Sequence, residues 1–190
     1  MNFPYRYLIA LAWIVWWLYW RAASRGTKVV AFRESVISRM LHIVPLVVAF
    51  ILLAVPTIHA QWLNMRFVPW ATWPLLLGGL LTVAGLLFAV WARVHLAGNW
   101  SGTVTIKQDH ELITSGPYNI VRNPMYTGLL LAFIGTAVWR GDWQGVLAVV
   151  VVALSLWRKI RVEEHVLINQ FGASYDAYRH RVRALIPYVV

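Results

Sequence analysis

The stretch Gly116-Pro117-Tyr118-Asn119-Ile120-Val121-Arg122-Asn123-Pro124-Met125-Tyr126-Thr127-Gly128 sets a cation, an amide and two tyrosines against the start of an apolar helix. Pro124 suits the first helical turn, where its missing N–H removes no hydrogen bond. The apolar run continues to Trp139, Arg140-Gly141-Asp142 makes a tight polar turn, and a second run extends from Trp143 to Trp157. Two apolar runs joined this closely predict a helical hairpin. A continuous helix from Trp143 to Phe171 would measure about 43 Å against a hydrocarbon thickness of about 30 Å, so its last turns should reach water or headgroups. Gly172 is the expected stop and Ser174 the expected N-cap of a further helix. Tyr175, Tyr178 and Val182 form its apolar stripe, and Ile186-Pro187 closes it.

Working outward, the chain has 190 residues, of which 60% are hydrophobic and 13% charged, and its 12 tryptophans would overfill a soluble core of this size. It is expected to be an all-α, polytopic integral membrane protein with about five transmembrane helices. The remaining spans are Tyr5 to Trp20, Leu41 to Ile58, and Trp73 to Val94. The first ends in Trp16, Trp17, Tyr19, Trp20 and Arg21 instead of a small-residue cleavage site, which marks a retained helix and not a signal peptide. With no cysteine, disulfides, thiolate metal ligation and thiol nucleophiles are excluded.

Basic residues cluster after span one (Arg21, Arg25, Lys28, Arg33, Arg39) and in the tail (Arg158, Lys159, Arg161, Arg179, Arg181, Arg183). The opposite side carries Arg6, Arg66 and Arg140. By the positive-inside rule the N-terminus lies outside and the C-terminus in the cytoplasm, as an odd number of spans requires. The net charge of +10 therefore reflects topology and contact with anionic membrane lipids. No array of basic and aromatic residues in a soluble domain points to nucleic acid. The chain reads as one membrane domain, 1–190, with N-terminal transmembrane helices in 1–60 and a catalytic region in 91–187.

The connector from His95 to Asn123 is rich in Gly, Ser and Thr, yet Leu112-Ile113, Tyr118 and Ile120-Val121 are too apolar for a solvated loop, so it is expected to fold as a lid or pocket wall. His95 and His110 match no compact ligand spacing, and no metal is expected. Glu163-Glu164 admit a structural role, pairing with Arg158, Lys159 or Arg161 on a wet helix end.

The set Leu112, Gly116, Tyr118, Arg122, Pro124, Tyr126 and Gly128 resembles the cofactor segment of the isoprenylcysteine carboxyl methyltransferases, integral membrane enzymes related to phospholipid methyltransferases. The tail resembles the same family through Glu163-Glu164, Leu167, Phe171-Gly172, Tyr175, Tyr178, Val182 and Ile186-Pro187. The resemblance implies methyl transfer from S-adenosylmethionine to the carboxylate of a lipophilic or lipidated, isoprenylcysteine-like substrate in a cytoplasmic pocket. It places the cofactor on His110, Glu111, Leu112, Ile113, Tyr118, Asn123, Pro124, Met125, Tyr126 and Glu163. It offers Glu163, Arg122 and Arg93 as catalytic candidates, and Lys159 and Glu164 as substrate contacts. Asn123 stands where the family usually has His, so imidazole base chemistry is excluded there, whereas a neutral hydrogen-bonding role is open to Asn.

A carboxylate acceptor is already ionised near neutrality, so attack on a sulfonium methyl needs in-line positioning and removal of water more than a general base. An amine acceptor must first lose a proton, which Glu163 or Glu164 could take only with a raised pKa. A phospholipid N-methyltransferase is thus the alternative within the same site. A non-enzymatic lipid-binding subunit is the alternative outside it, and it would tolerate Glu163→Ala. The identity of the acceptor and the oligomeric state are not legible in the sequence.

Overall fold

The computed structural model describes residues 4–23, 35–69, 71–96 and 112–187. Within them the chain is all-helical: α1 Pro4–Ala23, α2 Val36–Ala54, α3 Thr72–Leu96, α4 Pro124–Arg140, α5 Trp143–Phe171 and α6 Ala173–Arg181. Short 3₁₀ turns occupy Gln61–Asn64 and Gly116–Asn119. By length and composition, α2 and α3 are apolar enough to cross a membrane.

α3 and α4 run antiparallel in backbone-to-backbone contact, because glycines remove the side chains that would hold them apart. A Cβ built on Gly85 would sit 2.5 Å from the Gly128 oxygen and 2.6 Å from the Ala132 nitrogen. Gly78 meets the Gly135 oxygen at 2.6 Å in the same sense one heptad earlier. Where the seam turns polar, Thr82 and Thr136 share a hydrogen bond of 3.2 Å, and Trp13 of α1 donates to Thr136 at 3.1 Å. Small residues and interhelical hydrogen bonds associate helices where apolar burial against lipid offers little driving force.

α5 returns antiparallel to α4. Gly141, at φ +69°, takes the left-handed turn, and the Asp142 carboxylate caps α5 by accepting from Gly145 N at 2.9 Å. Arg140 grips Asp142 at 3.1 and 2.8 Å and also donates to Leu53 O and Val55 O, which ties the hairpin turn to the end of α2. The core behind this turn gathers Phe133, Val152, Leu156, Ala148 and Ala49. Trp13 and Phe50 stand edge-on to Phe133 at 5.2 and 4.9 Å.

Three expectations need correction. α2 spans Val36–Ala54, not Leu41 to Ile58: Ser35 caps its start by accepting from Ser38 N at 3.2 Å, Pro45 is carried inside, and Pro56 disfavours helix in the residue before it. Ser174 is not an N-cap, because α6 begins at Ala173 directly after Gly172 and no side chain caps it. α6 also ends at Arg181 and is not closed by Ile186-Pro187, because the carbonyls from Val182 onward are taken up elsewhere. Most of the connector, including His110 and Glu111, lies outside the described residues.

Candidate functional site

The site forms where the C-terminal end of α3, the N-terminal turn of α4 and the middle of α5 meet. α4 opens on Asn123-Pro124, with Pro124 at N1, so the ring that cannot donate occupies a position with no acceptor to lose. The second residue after it, Tyr126, donates its hydroxyl to Glu163 Oε1 at 2.7 Å. Lys159, one turn earlier on α5 and nearly buried, lies 3.9 Å from the same oxygen, while the Glu163 side chain keeps 24% of its surface exposed. Tyr118 lies within electrostatic reach of Glu163, which brings the 3₁₀ turn to the same place. These four are the predicted site residues that the fold gathers round one carboxylate.

A second group braces the segment after α6, residues 182–185, as a C-terminal strap. Arg122 donates through Nε and Nη2 to Glu164 Oε1 at 2.9 and 2.7 Å, and through Nη1 to Arg179 O at 3.1 Å and to Val182 O. The Arg122 and Asn123 amides donate to Arg183 O and Ala184 O at 2.8 and 3.0 Å, and Thr127 Oγ1 donates to Leu185 O at 2.7 Å. Four consecutive strap carbonyls, from Val182 to Leu185, thereby each accept a hydrogen bond. The Asn123 side chain donates to Ala184 O at 3.2 Å, a task for a neutral amide that needs no imidazole. Arg122 and Glu164, offered as catalytic and substrate-binding candidates, spend their charges on each other here.

Removing one half of a buried pair strands the other charge. The Arg122 and Glu164 side chains are only 9% and 12% exposed. Arg122→Ala is therefore expected to lower stability by about 3–5 kcal/mol. Unfolding of the purified variant checks this, and a paired R122M/E164M variant should recover most of the loss.

Tyr178 donates to Tyr118 O at 2.6 Å and, with Tyr175 and Val182, forms a small core onto which Leu112, Leu167, Ile168 and Phe171 pack. Tyr118 in turn reaches Ala92 O at 3.4 Å and stacks on His95, which bonds Ser115 Oγ at 2.9 Å. Ile113 and Met125 are half-buried beside these elements. Arg93 is buried under the end of α1, where it donates to Ala23 O at 2.6 Å, within electrostatic reach of Tyr19 and Tyr118. Sequence reasoning missed the roles of Thr127 and of the Tyr178 hydroxyl. The tyrosine spacing marked a buried stripe but could not show which carbonyl its hydroxyl would find.

Burial pushes the Tyr118, Tyr175 and Tyr178 phenols well above their ordinary value near 10. A group whose folded pKa is raised contributes stability that is full below its unfolded pKa and is lost progressively as pH rises from there through the folded one. Stability should thus fall as pH rises above about 10, and the tyrosinate absorbance of these three phenols should appear with unfolding and not before it. No three side chains of His, Asp or Glu converge on a metal position among the described residues.

A family model described as phospholipid methyltransferase matches residues 73–174, more than half of the chain. The chain is similar to the protein-S-isoprenylcysteine O-methyltransferase of Schizosaccharomyces pombe, with 35% identity over 104 residues that cover 52% of this chain and 43% of that protein. It is similar to protein-S-isoprenylcysteine O-methyltransferase B of Arabidopsis thaliana, with 32% identity over 60% of this chain and 56% of that one. It is also similar to the nickel-cobalt-cadmium resistance protein NccN of Alcaligenes xylosoxydans xylosoxydans, at 28% identity over 74% of this chain and 61% of that one. The chain spans about half the length of the relatives it matches.

Proposed function

Because the chain belongs to the phospholipid methyltransferase family, we propose that it carries a methyl group from S-adenosylmethionine to the carboxylate of a lipophilic, isoprenylcysteine-like acceptor at the cytoplasmic face of a membrane. Support for the acceptor comes from the names of the two isoprenylcysteine methyltransferases it resembles. The observation that carries the proposal is the Glu163 carboxylate, partly open and held by Tyr126 and Lys159 in the segment that carries the motif.

The donor set suits the cofactor. A carboxylate can take an ammonium or face a sulfonium, and aromatic and aliphatic side chains can bound an adenosine. Glu163, Tyr126, Tyr118, Leu112, Ile113, Asn123, Pro124 and Met125 would hold it, with His110 and Glu111. When bound, S-adenosylmethionine supplies an electrophilic methyl on its sulfonium. Tyr126 fixes the direction of the Glu163 carboxylate. Lys159, in the same cluster, and Arg93, at the end of α3, are the cations we assign to an acceptor carboxylate, beside the contacts they already make. The tyrosine core around Tyr178 holds the 3₁₀ turn against α6, which limits water at the site. The Arg122–Glu164 brace positions the strap.

The same proposal puts α1 to α5 in the bilayer as one domain, with N-terminal helices in 1–60, a catalytic region in 91–187, the N-terminal end outside and the site cytoplasmic. Exposed apolar residues such as Leu11, Ile14 and Leu18 on α1, and Val44, Val47 and Ile51 on α2, favour a lipid surround. Methyl transfer by the purified protein, with a farnesylated cysteine and phosphatidylethanolamine offered in parallel, should place base-labile label on the first alone. Label on the amine would assign phospholipid N-methylation, and lipid binding without transfer would assign a non-enzymatic lipid-binding subunit.

A further inference from the structure

On a face of α5 that does not include Glu163, the helix, α6 and the strap border an open cleft of about 330 Å³. Four guanidinium groups line it, those of Arg122, Arg161, Arg179 and Arg183, against the single carboxylate of Glu164. That carboxylate is already matched by Arg122 at 2.7 Å, so three positive charges converge on the opening. Arg179 spends part of its charge on the exposed Asp176 at 3.4 Å. Arg161 lies over the Trp157 ring at 4.8 Å, which aligns its guanidinium at the cleft wall. Arg161, Arg179 and Arg183 are exposed to solvent, so their like charges are open to an anion arriving from outside.

The chemistry of the opening names the anion's class. Planar guanidinium groups donate in pairs to phosphate oxygens, and several of them around a cleft of this volume fit one phosphate group with its ester substituents. Below the cleft the same face of α5 carries Trp157, Leu154 and Val150 at helical spacing, and these are 39%, 66% and 47% exposed. A charged opening continuous with an exposed apolar stripe has the shape of an amphiphile.

We propose that this cleft binds the phosphate headgroup of an anionic membrane lipid, whose acyl chain lies along Val150, Leu154 and Trp157. The site is separate from the methyl-transfer pocket and does not depend on that assignment. It fixes the level of α5 relative to the headgroups, and hence the depth of the Glu163 site on the same helix.

The test measures lipid retention by native mass spectrometry on protein from phosphatidylcholine nanodiscs doped with phosphatidylglycerol. One phosphatidylglycerol should remain bound through detergent exchange while phosphatidylcholine leaves. An R161Q/R183Q variant should weaken retention about tenfold or more, since each basic side chain at a membrane surface contributes on the order of 1 kcal/mol. An R161K/R183K variant keeps the charge and should keep most of the binding, while an unchanged thermal transition shows that neither variant has lost the fold. Retention by R161Q/R183Q equal to that of the unaltered protein would overturn the proposal. Inorganic phosphate binding as tightly as the lipid would overturn the lipid assignment and make the cleft a free-phosphate site.

Discussion

Glu163→Ala is expected to reduce methyl transfer by about two to three orders of magnitude, the usual cost of removing a preorganised charged group from a reacting centre. The effect follows from position. Tyr126 donates to Glu163 Oε1 at 2.7 Å and Lys159 approaches it at 3.9 Å, so the carboxylate is oriented before any ligand arrives. Alanine removes the negative charge available to the cofactor and takes away the carboxylate that Lys159 approaches at 3.9 Å. Two milder changes separate charge from shape. E163Q keeps an oxygen for Tyr126 but loses the charge, and should fall nearly as far as alanine. Tyr126→Phe keeps the charge but loosens its direction, and should cost about tenfold or somewhat more, the scale of one hydrogen bond to a charged group. All three should bind cofactor more weakly and unfold near the normal temperature, because the Glu163 side chain is partly solvated. Wild-type transfer by E163A would remove Glu163 from the site.

Gly85→Val should abolish the folded protein, while Gly79→Ala, six residues earlier on the same helix, should leave it intact. The contrast is geometric. At Gly85 even the first side-chain carbon would stand 2.5 Å from the Gly128 oxygen, and the obstruction is backbone that cannot rotate away. At Gly79 the nearest atom is the Ile9 side-chain terminus at 3.9 Å. Overpacking a close helix contact costs about 3 kcal/mol or more, a large share of the total stability of a small domain. Replacing a helical glycine in open space gains up to about 1 kcal/mol through propensity. Thermal unfolding and yield in detergent distinguish the two variants, and equal stability of both would contradict the close packing of α3 on α4.

That packing was within reach of the sequence. Gly78 and Gly85, and likewise Gly128 and Gly135, stand seven residues apart in apolar helices, a spacing that marks a contact seam when two such helices pair. Composition and hydropathy were enough to find α1, α3, α4 and α5 to within a few residues, because long apolar runs bounded by Arg-Gly-Asp or Gly leave little choice. The polar start of α2 was hidden by Ser38 and Arg39, and Ser38 finds its partner on another element, accepting from Arg158 at 2.7 Å. The end of α6 failed for the same reason. Whether Val182 to Leu185 extend a helix depends on Arg122, Asn123 and Thr127, some sixty residues away, taking their carbonyls. For the site, the motif spacing picked out Tyr118, Tyr126 and Glu163 together. It could not show that Arg122 and Glu164 would neutralise each other, since both are equally suited to a ligand until their 2.7 Å contact is known.

The most direct test of where the cofactor sits is photo-crosslinking of radiolabelled S-adenosylmethionine to the purified protein, followed by peptide mapping. Saturable label within residues 110–126 and in the α5 turn around Glu163, lost in E163A, is the predicted result. Saturable label confined to α1 and α2, or label at the α5 turn that E163A leaves unchanged, would contradict it.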